Sequence, residues 1–521
     1  MELSPVLSMY KRCSKYTTQT HTCRPEVPAD FGQLVEMEIP RYGDFIKTMF
    51  VKMTLPPTYG KPNTPDNRND ERYMYTGSPG LHIFEYVELV IGDKVIERLD
   101  GYLMALYFMK RYGPLYNDVF DSAFGGNPEQ HFEYIPANGL SWYPYKYPLD
   151  GRTEIFGLDE DPVNSYTDNR NRTIFYPLPF YFFNKSSLAV PICLLHKQEI
   201  KLRFKFRNWQ ELIITDGDAT LLSIYARGAG RLAVNGLYTS FNKKTPDYST
   251  IFGPLKLVDF SVPVEFAYIS DDDYKFISSK PCTHLINQTQ RQVISVQSDV
   301  FNISTILNFI NPVKCIDFFV KYKNNERLYY RNLYNMKANY ARIRSGKASL
   351  HHIESIQLEF DGETFLSNTI ANYQFLTYVQ KYKHNIGFYN YTRSDSFETL
   401  NPYATVFTAR KTFMKFDSFN NPEIPPSMYS KVCTGPYYSY SFALDPFSEK
   451  PCGYMNFSTI RTPIIKINMF SDKYVITSDQ GSFDLLSEPR EVYVYADTIN
   501  ILTFDPIKGN ATLKFQNPTY T

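Results

Sequence analysis

The chain has 521 residues with 55 Lys+Arg against 54 Asp+Glu, so it offers no general field for holding nucleic acid or an anionic membrane. Aromatic residues make up 16%, with 43 Tyr, 40 Phe and 34 Pro, a bias that favours strands and structured loops over helices. Seven cysteines without a CxxC pair signal neither a disulfide framework nor a zinc ribbon and suit a reducing compartment. No apolar run reaches the roughly 18 residues of a membrane helix, and the first residues lack the pattern of a secretory leader.

Residues 1–30 are polar and aperiodic, which reads as an N-terminal arm. Cys13, His21 and Cys23 within it lack a fourth ligand and a standard spacing, so no metal site is expected there. Alternating strands follow at 35–39, 45–55 and 84–93, then a helix at 101–111 with Leu103, Leu106, Tyr107 and Met109 at helical spacing. The long aromatic stretch 113–171 is expected to be an ordered loop. Strands resume at 173–183, 188–195, 199–206, 221–225 and 231–238. In 199–206, Ile200, Leu202, Phe204 and Phe206 alternate with Lys201, Arg203 and Lys205, the mark of a strand buried on one face. Ser270 before Asp271, Asp272 and Asp273 reads as an N-cap and first helical turn, where acids are favoured without any bound cation.

The chain then repeats itself. Phe84-Glu85-Tyr86-Val87-Glu88-Leu89-Val90-Ile91 matches Ile353-Glu354-Ser355-Ile356-Gln357-Leu358-Glu359-Phe360, and Phe50-Val51-Lys52 matches Phe319-Val320-Lys321, at one offset of 269 (85 to 354, 50 to 319). Ile200-Lys201-Leu202 and Ile465-Lys466-Ile467 nearly keep that offset, so two similar domains stand in tandem. A second helix at 369–382, a second long loop at 384–429 and closing strands at 437–444, 464–469, 490–495 and 500–504 complete the second copy. The expected organisation is an arm (1–30), a first jelly roll (31–270), a connecting segment (271–292), a second jelly roll (293–505) and a tail (506–521). The fold class is mainly β: two tandem eight-stranded jelly-roll sandwiches with small helices and long loops.

A search for chemistry finds no GxSxG, HExxH, Walker A loop or GxGxxG. Gly346-Lys347-Ala348-Ser349 lacks the Gly and hydroxyl positions of a phosphate loop. The adjacent pair His351-His352 would point to opposite faces of a strand. No catalytic, cofactor-binding or metal residue is therefore expected. The enzyme-class alternative is a β-sandwich that binds or cleaves carbohydrate, its aromatics stacking on sugars. The aromatics are as dense in strands as in loops, which packing explains more simply.

Tyr437-Tyr438-Ser439-Tyr440-Ser441-Phe442-Ala443-Leu444-Asp445-Pro446, continuing Lys450-Pro451-Cys452-Gly453-Tyr454-Met455-Asn456-Phe457-Ser458, resembles a segment of the major capsid proteins of nucleocytoplasmic large DNA viruses, with Cys452 where Ser is usual. Pro177-Leu178-Pro179-Phe180-Tyr181-Phe182, Leu188-Ala189-Val190-Pro191-Ile192-Cys193-Leu194-Leu195 and residues 268–290 are similar to further stretches of that family. The arm and the long loops show no likeness. The resemblance implies a double jelly roll without enzyme activity that forms six-sided homotrimers and tiles an icosahedral shell assembled in the host cytoplasm. It implies contacts with itself, with minor capsid and penton proteins and with an inner viral membrane, and no direct nucleic-acid binding. A minor capsid or scaffold paralogue of the same fold is the second alternative.

Overall fold

The strands follow from side-chain alternation, with each sheet giving one face to a core. In the computed structural model the described residues are 16–56, 73–75, 79–112, 132–135, 141–144, 172–183, 185–215, 255–297, 300–322, 353–384, 437–448, 451–469, 475–478, 481–484 and 490–515. The first half contains β1 (Tyr16–Cys23), β2 (Leu34–Glu38), β3 (Phe45–Leu55), β4 (Tyr73–Tyr75), β5 (Phe84–Ile91), β6 (Lys94–Leu99), β7 (Phe132–Ile135), β8 (Ser141–Pro144), β9 (Arg172–Pro177), β10 (Val190–Pro191), β11 (Ile200–Phe206), β12 (Ile213–Thr215) and β13 (Asp259–Ile269). One sheet runs β1-β13-β3-β10, with β9 also beside β3, and the facing sheet runs β2-β11-β5-β6. β4 pairs with β12, and β7 with β8.

The second half contains β14 (Cys282–Val296), β15 (Asn302–Ile306), β16 (Pro312–Tyr322), β17 (Ile353–Phe360), β18 (Glu363–Leu366), β19 (Tyr438–Ser441), β20 (Met455–Asn456), β21 (Pro463–Met469), β22 (Val475–Ser478), β23 (Gly481–Asp484), β24 (Arg490–Asp505) and β25 (Asn510–Leu513). Its sheets run β14-β24-β16-β19, with β20 beside β16 and β25 beside β24, and β15-β21-β17-β18, while β22 and β23 form a hairpin. The strand paths of the two halves are the same, and each is that of a jelly roll. β5 and β17 hold the third place in their sheets, with Val87 and Ile356 buried. β3 and β16 hold the third place in the others, carrying Phe50 and Phe319. The turn after β17 uses Asp361 and Gly362, both at positive φ, as a two-residue hairpin requires.

Among the described residues helices are few: α1 (Pro79–His82), α2 (Gly101–Tyr112), α3 (Asp271–Ser278) and α4 (Gln380–Lys383), the last continuing a π turn at Phe375–Val379. α3 starts as its sequence demands, with the Ser270 hydroxyl accepting a hydrogen bond from the Asp273 N–H.

Three expected segments take other roles. Residues 16–23 are no arm, because β1 pairs with β13 along eight residues. Residues 282–292 are no connector, because they pair with β24 as the first part of β14. Residues 510–513 are no tail, because β25 pairs with Leu502–Asp505. All three escape hydrophobic patterning: β1 is an edge strand exposed along its length apart from the half-buried His21 and the buried Cys23, and the buried side of β14 carries His284, Gln288 and Gln290. The stretch 188–195 is mostly two 3-10 turns around β10, and 490–504 is one unbroken strand. Residues 221–225, 231–238, 346–352 and most of 113–171 and 384–429 lie outside the described residues.

Candidate functional site at the seam between the sandwiches

β16 and β24 bury both faces. Ile316, Phe318, Val320, Val492, Val494 and Ala496 fill the second core. Residues of the opposite parity, Phe319, Tyr493 and Tyr495, belong to the core of the first sandwich, so the outer face of this sheet is the seam. The first sandwich meets it with β6 and α2. Tyr102 lies with its ring 5.4 Å from Phe319 and 5.2 Å from Tyr493. Phe319 and Tyr493 are themselves parallel at 5.1 Å. Aromatic contacts of this kind add to the free energy of area burial.

Polar groups fix the register. Asp100 accepts the Leu103 N–H at the start of α2 at 2.8 Å. The same carboxylate accepts the Tyr495 hydroxyl at 3.1 Å and the Arg291 guanidinium at 3.2 Å. Gln288 donates to the Ile96 carbonyl at 2.6 Å, and its own amide oxygen accepts Asn500 Nδ2 at 2.8 Å. Beyond this point β14, β24 and β25 continue onto the first sandwich, where Lys197 N–H donates to the Gly509 carbonyl and Ala511 N–H to Gln198 Oε1. Buried polar groups satisfied in this way specify one arrangement, because any other leaves them unpaired.

The charged centre of the seam is Lys110, projecting from α2 into the second sheet. Its ammonium contacts Asp317 directly and lies 3.9 Å from Asp497. Ser439 Oγ donates to Asp317 Oδ1 at 2.8 Å, and Thr289 Oγ1 to Asp497 Oδ1 at 3.0 Å. Burial opposes the charge on Lys110, and the carboxylates of Asp317 and Asp497 outweigh it, holding the amine protonated beyond its ordinary range. Burial raises the Asp497 carboxyl, and Lys110 and Lys314 more than reverse that, so it lies below its usual range. Nearby on β6, Glu97 accepts the Tyr181 N–H at 2.7 Å, and burial pushes its pKa up to about 8.

Cys315, Asp317 and Asp497 place potential metal-ligand atoms within 4.8 Å of one another. The Lys110 ammonium already supplies the positive charge that such a set attracts. At the rim, a cavity of about 30 Å³ between Glu85, Arg98, Thr289 and Arg291 has room for a water and not for a sugar ring.

Of the residues weighed from sequence, His21 stacks on Tyr42 at 4.5 Å and bonds the Tyr268 hydroxyl, Cys23 is buried, and Asp271, Asp272 and Asp273 form the first turn of α3. Cys13, His351 and His352 lie outside the described residues. The seam residues Asp100, Lys110, Gln288, Asp317 and Asp497 carry no local motif. The sequence signal available for them is an acid within a strand largely apolar on both faces, as at Asp317. In segment 437–458, Tyr438 stacks on Phe318 at 5.4 Å and its hydroxyl accepts the Ile353 N–H. Cys452 Sγ bonds both the Asp445 N–H and carbonyl, closing that loop as a serine hydroxyl would.

Residues 6–230 match the sequence profile described as major capsid protein N-terminus. The chain is 25% identical over 298 residues to capsid protein 1 of Acanthamoeba polyphaga mimivirus, covering 56% of this chain and 41% of that one. Its fold is similar to that in the PBCV-1 virus capsid, with a TM-score of 0.59 at 17% identity over 99% of this chain and all of that one. The Faustovirus major capsid protein is also similar, with a TM-score of 0.56 at 12% identity over 96% and 92%. The chain is similar in sequence to the major capsid proteins of large DNA viruses. It spans about half the length of the curated relatives it matches. The likeness in fold to the solved capsid chains runs through both halves.

Proposed function

We propose that this chain is a structural capsid protein without a catalytic centre, and that it assembles as a closed homotrimer of six lobes that tiles an icosahedral shell. The observation that carries this reading is the seam itself. One sandwich presents the outer face of its β14-β24-β16-β19 sheet, and the other covers it with a helix. Among the described residues the equivalent face of the first sandwich is uncovered: Lys52 is exposed, Phe50 is half-buried and Phe175 is 47% exposed. If the helix around 373–383 of a second copy covers that face, the intramolecular contact is repeated between copies, and a head-to-tail contact must close to avoid running on into a filament.

We extend the proposal, on the resemblance read from the sequence, to further partners. These are minor capsid and penton proteins and an inner viral membrane, in a virion assembled in the host cytoplasm, with no direct hold on nucleic acid. Light scattering on the purified chain is expected to give about 182 kDa, three times 60.7 kDa. A stable monomer at micromolar concentration would overturn the proposal. Specific saturable binding on a glycan array would favour the carbohydrate-binding alternative, and copy number per virion separates a major from a minor shell component.

A further inference from the structure

Lys110 and Asp317 are 207 residues apart and come from different sandwiches, yet their side chains touch. Theirs is the one salt bridge among the described residues in which both side chains are buried, at 6% and 2% exposure. The geometry points to a covalent modification: Lys110 Nζ and Asp317 Cγ condense to an isopeptide bond that ties the two sandwiches together, with Asp497 moving the protons.

Each component of the reaction is in place. The amine and the carboxyl are held against each other by two packed elements, α2 and β16, so their effective concentration is that of an intramolecular reaction. Asp497 lies 3.9 Å from Nζ and is itself anchored by Thr289 and Cys315. One proton of the ammonium passes to the Asp317 carboxylate it touches, the free amine attacks Cγ, and Asp497 takes the second proton from the nitrogen once the new bond has made it acidic. Ser439 Oγ, which donates to Asp317 Oδ1 at 2.8 Å, steadies the oxygen that becomes negative in the tetrahedral intermediate. The C–N bond forms, the C–Oδ2 bond breaks, and the hydroxyl leaves as water with the proton returned by Asp497. One ammonium and one carboxylate become one amide and one water, with no change of oxidation state.

The surroundings favour the product. A buried ion pair carries the desolvation cost of both charges, and the amide removes both charges at once. The Asp317 oxygen that faces Ser439 keeps its hydrogen bond as the amide carbonyl. The tie then does for the seam what its polar contacts do reversibly, and it closes a loop of 207 residues.

Intact-mass spectrometry of the folded, then denatured, full-length chain tests this directly. The expected mass is that of the sequence less one water, and a protease digest is expected to yield a branched peptide joining Lys110 to Asp317. Lys110→Arg keeps the positive charge and restores the full mass. Asp497→Asn leaves both reacting groups present and is expected to restore it as well, which assigns the proton transfers. A wild-type chain of full sequence mass would overturn the proposal, leaving an ion pair only, whether or not either variant folds. A branched peptide that persists in Asp497→Asn would overturn the role given to Asp497.

Discussion

Phe50 and Phe319 occupy the same register of the repeat, on β3 and β16, and have different surroundings. Phe319 is fully buried against Tyr493 and Tyr102, whereas Phe50 is half-buried and stacks on the exposed Phe175 at 5.3 Å. Two residues on, Lys52 is exposed while its counterpart Lys321 is buried, with its ammonium 5.2 Å from the Tyr102 ring. One sheet design therefore serves two ends. Its inner face always makes a core, and its outer face makes a seam in one sandwich and, among the described residues, an open surface in the other.

The largest effect is expected where the two faces differ most. Phe319→Ala should cost about 3–5 kcal/mol, the range for truncating a buried aromatic, and Phe50→Ala clearly less, since its ring is already partly in water. Denaturant titration of the two variants measures the difference. Equal losses would mean that the outer faces are equally covered.

The repeat was legible wherever a strand alternates for its own core. β5 and β17, β3 and β16, and β11 and β21 stand out because Val87 and Ile356, or Leu202 and Ile467, must be apolar for a local reason. The first strand of each sandwich was missed for the opposite reason. β1 is an exposed edge, and β14 buries His284, Gln288 and Gln290 against partners distant in sequence. The seam was illegible in the same way. Nothing near Lys110 announces Asp317, and a strand apolar on both faces does not tell what covers its second face.

A second contrast lies on β6 and β18. Glu97 pairs opposite Leu89 as Leu366 pairs opposite Leu358, so the repeat substitutes a buried carboxyl for a leucine. With its pKa pushed up to about 8 by burial, Glu97 stays protonated in the fold, whereas an unfolded glutamate ionises near pH 4.3, on the order of the model-peptide value. The folded state then binds more protons in that window. The contribution is complete below the unfolded value and is lost as pH rises to about 8, a total on the order of a few kcal/mol. Glu97→Gln should flatten this slope in melting curves taken across that range. A slope unchanged by the substitution would remove Glu97 as its source.

Smaller again is the seam's hydrogen bonding. Gln288→Leu removes the donor to the Ile96 carbonyl and the acceptor for Asn500, and leaving such groups unpaired costs about 1–3 kcal/mol. Deleting residues 1–23 should cost an amount of similar order, since β1 contributes ladder bonds and the buried Cys23 but little apolar area. That loss would be read as a lower thermal midpoint, and an unchanged midpoint would return the segment to the status of an arm.

The smallest effect on folding is expected at Phe175, and it bears most on assembly. Its side chain lies on the outer face of the first sandwich, 47% exposed, with Phe50 as its stacking partner. Replacing a partly exposed residue away from caps, cavities and ion pairs changes stability by about 0.5 kcal/mol, or somewhat more here for the lost stacking. Phe175→Glu should thus leave the denaturation midpoint of the isolated chain nearly unchanged. If a second copy covers this face as the first sandwich covers Phe319, the same substitution buries an unpaired carboxylate at the contact between copies, a far larger penalty. Light scattering should then report a folded monomer in place of the trimer, while Phe319→Ala destabilises each chain before it affects association. A Phe175→Glu protein that still forms the trimer would show that the outer face of the first sandwich is not the surface through which copies meet.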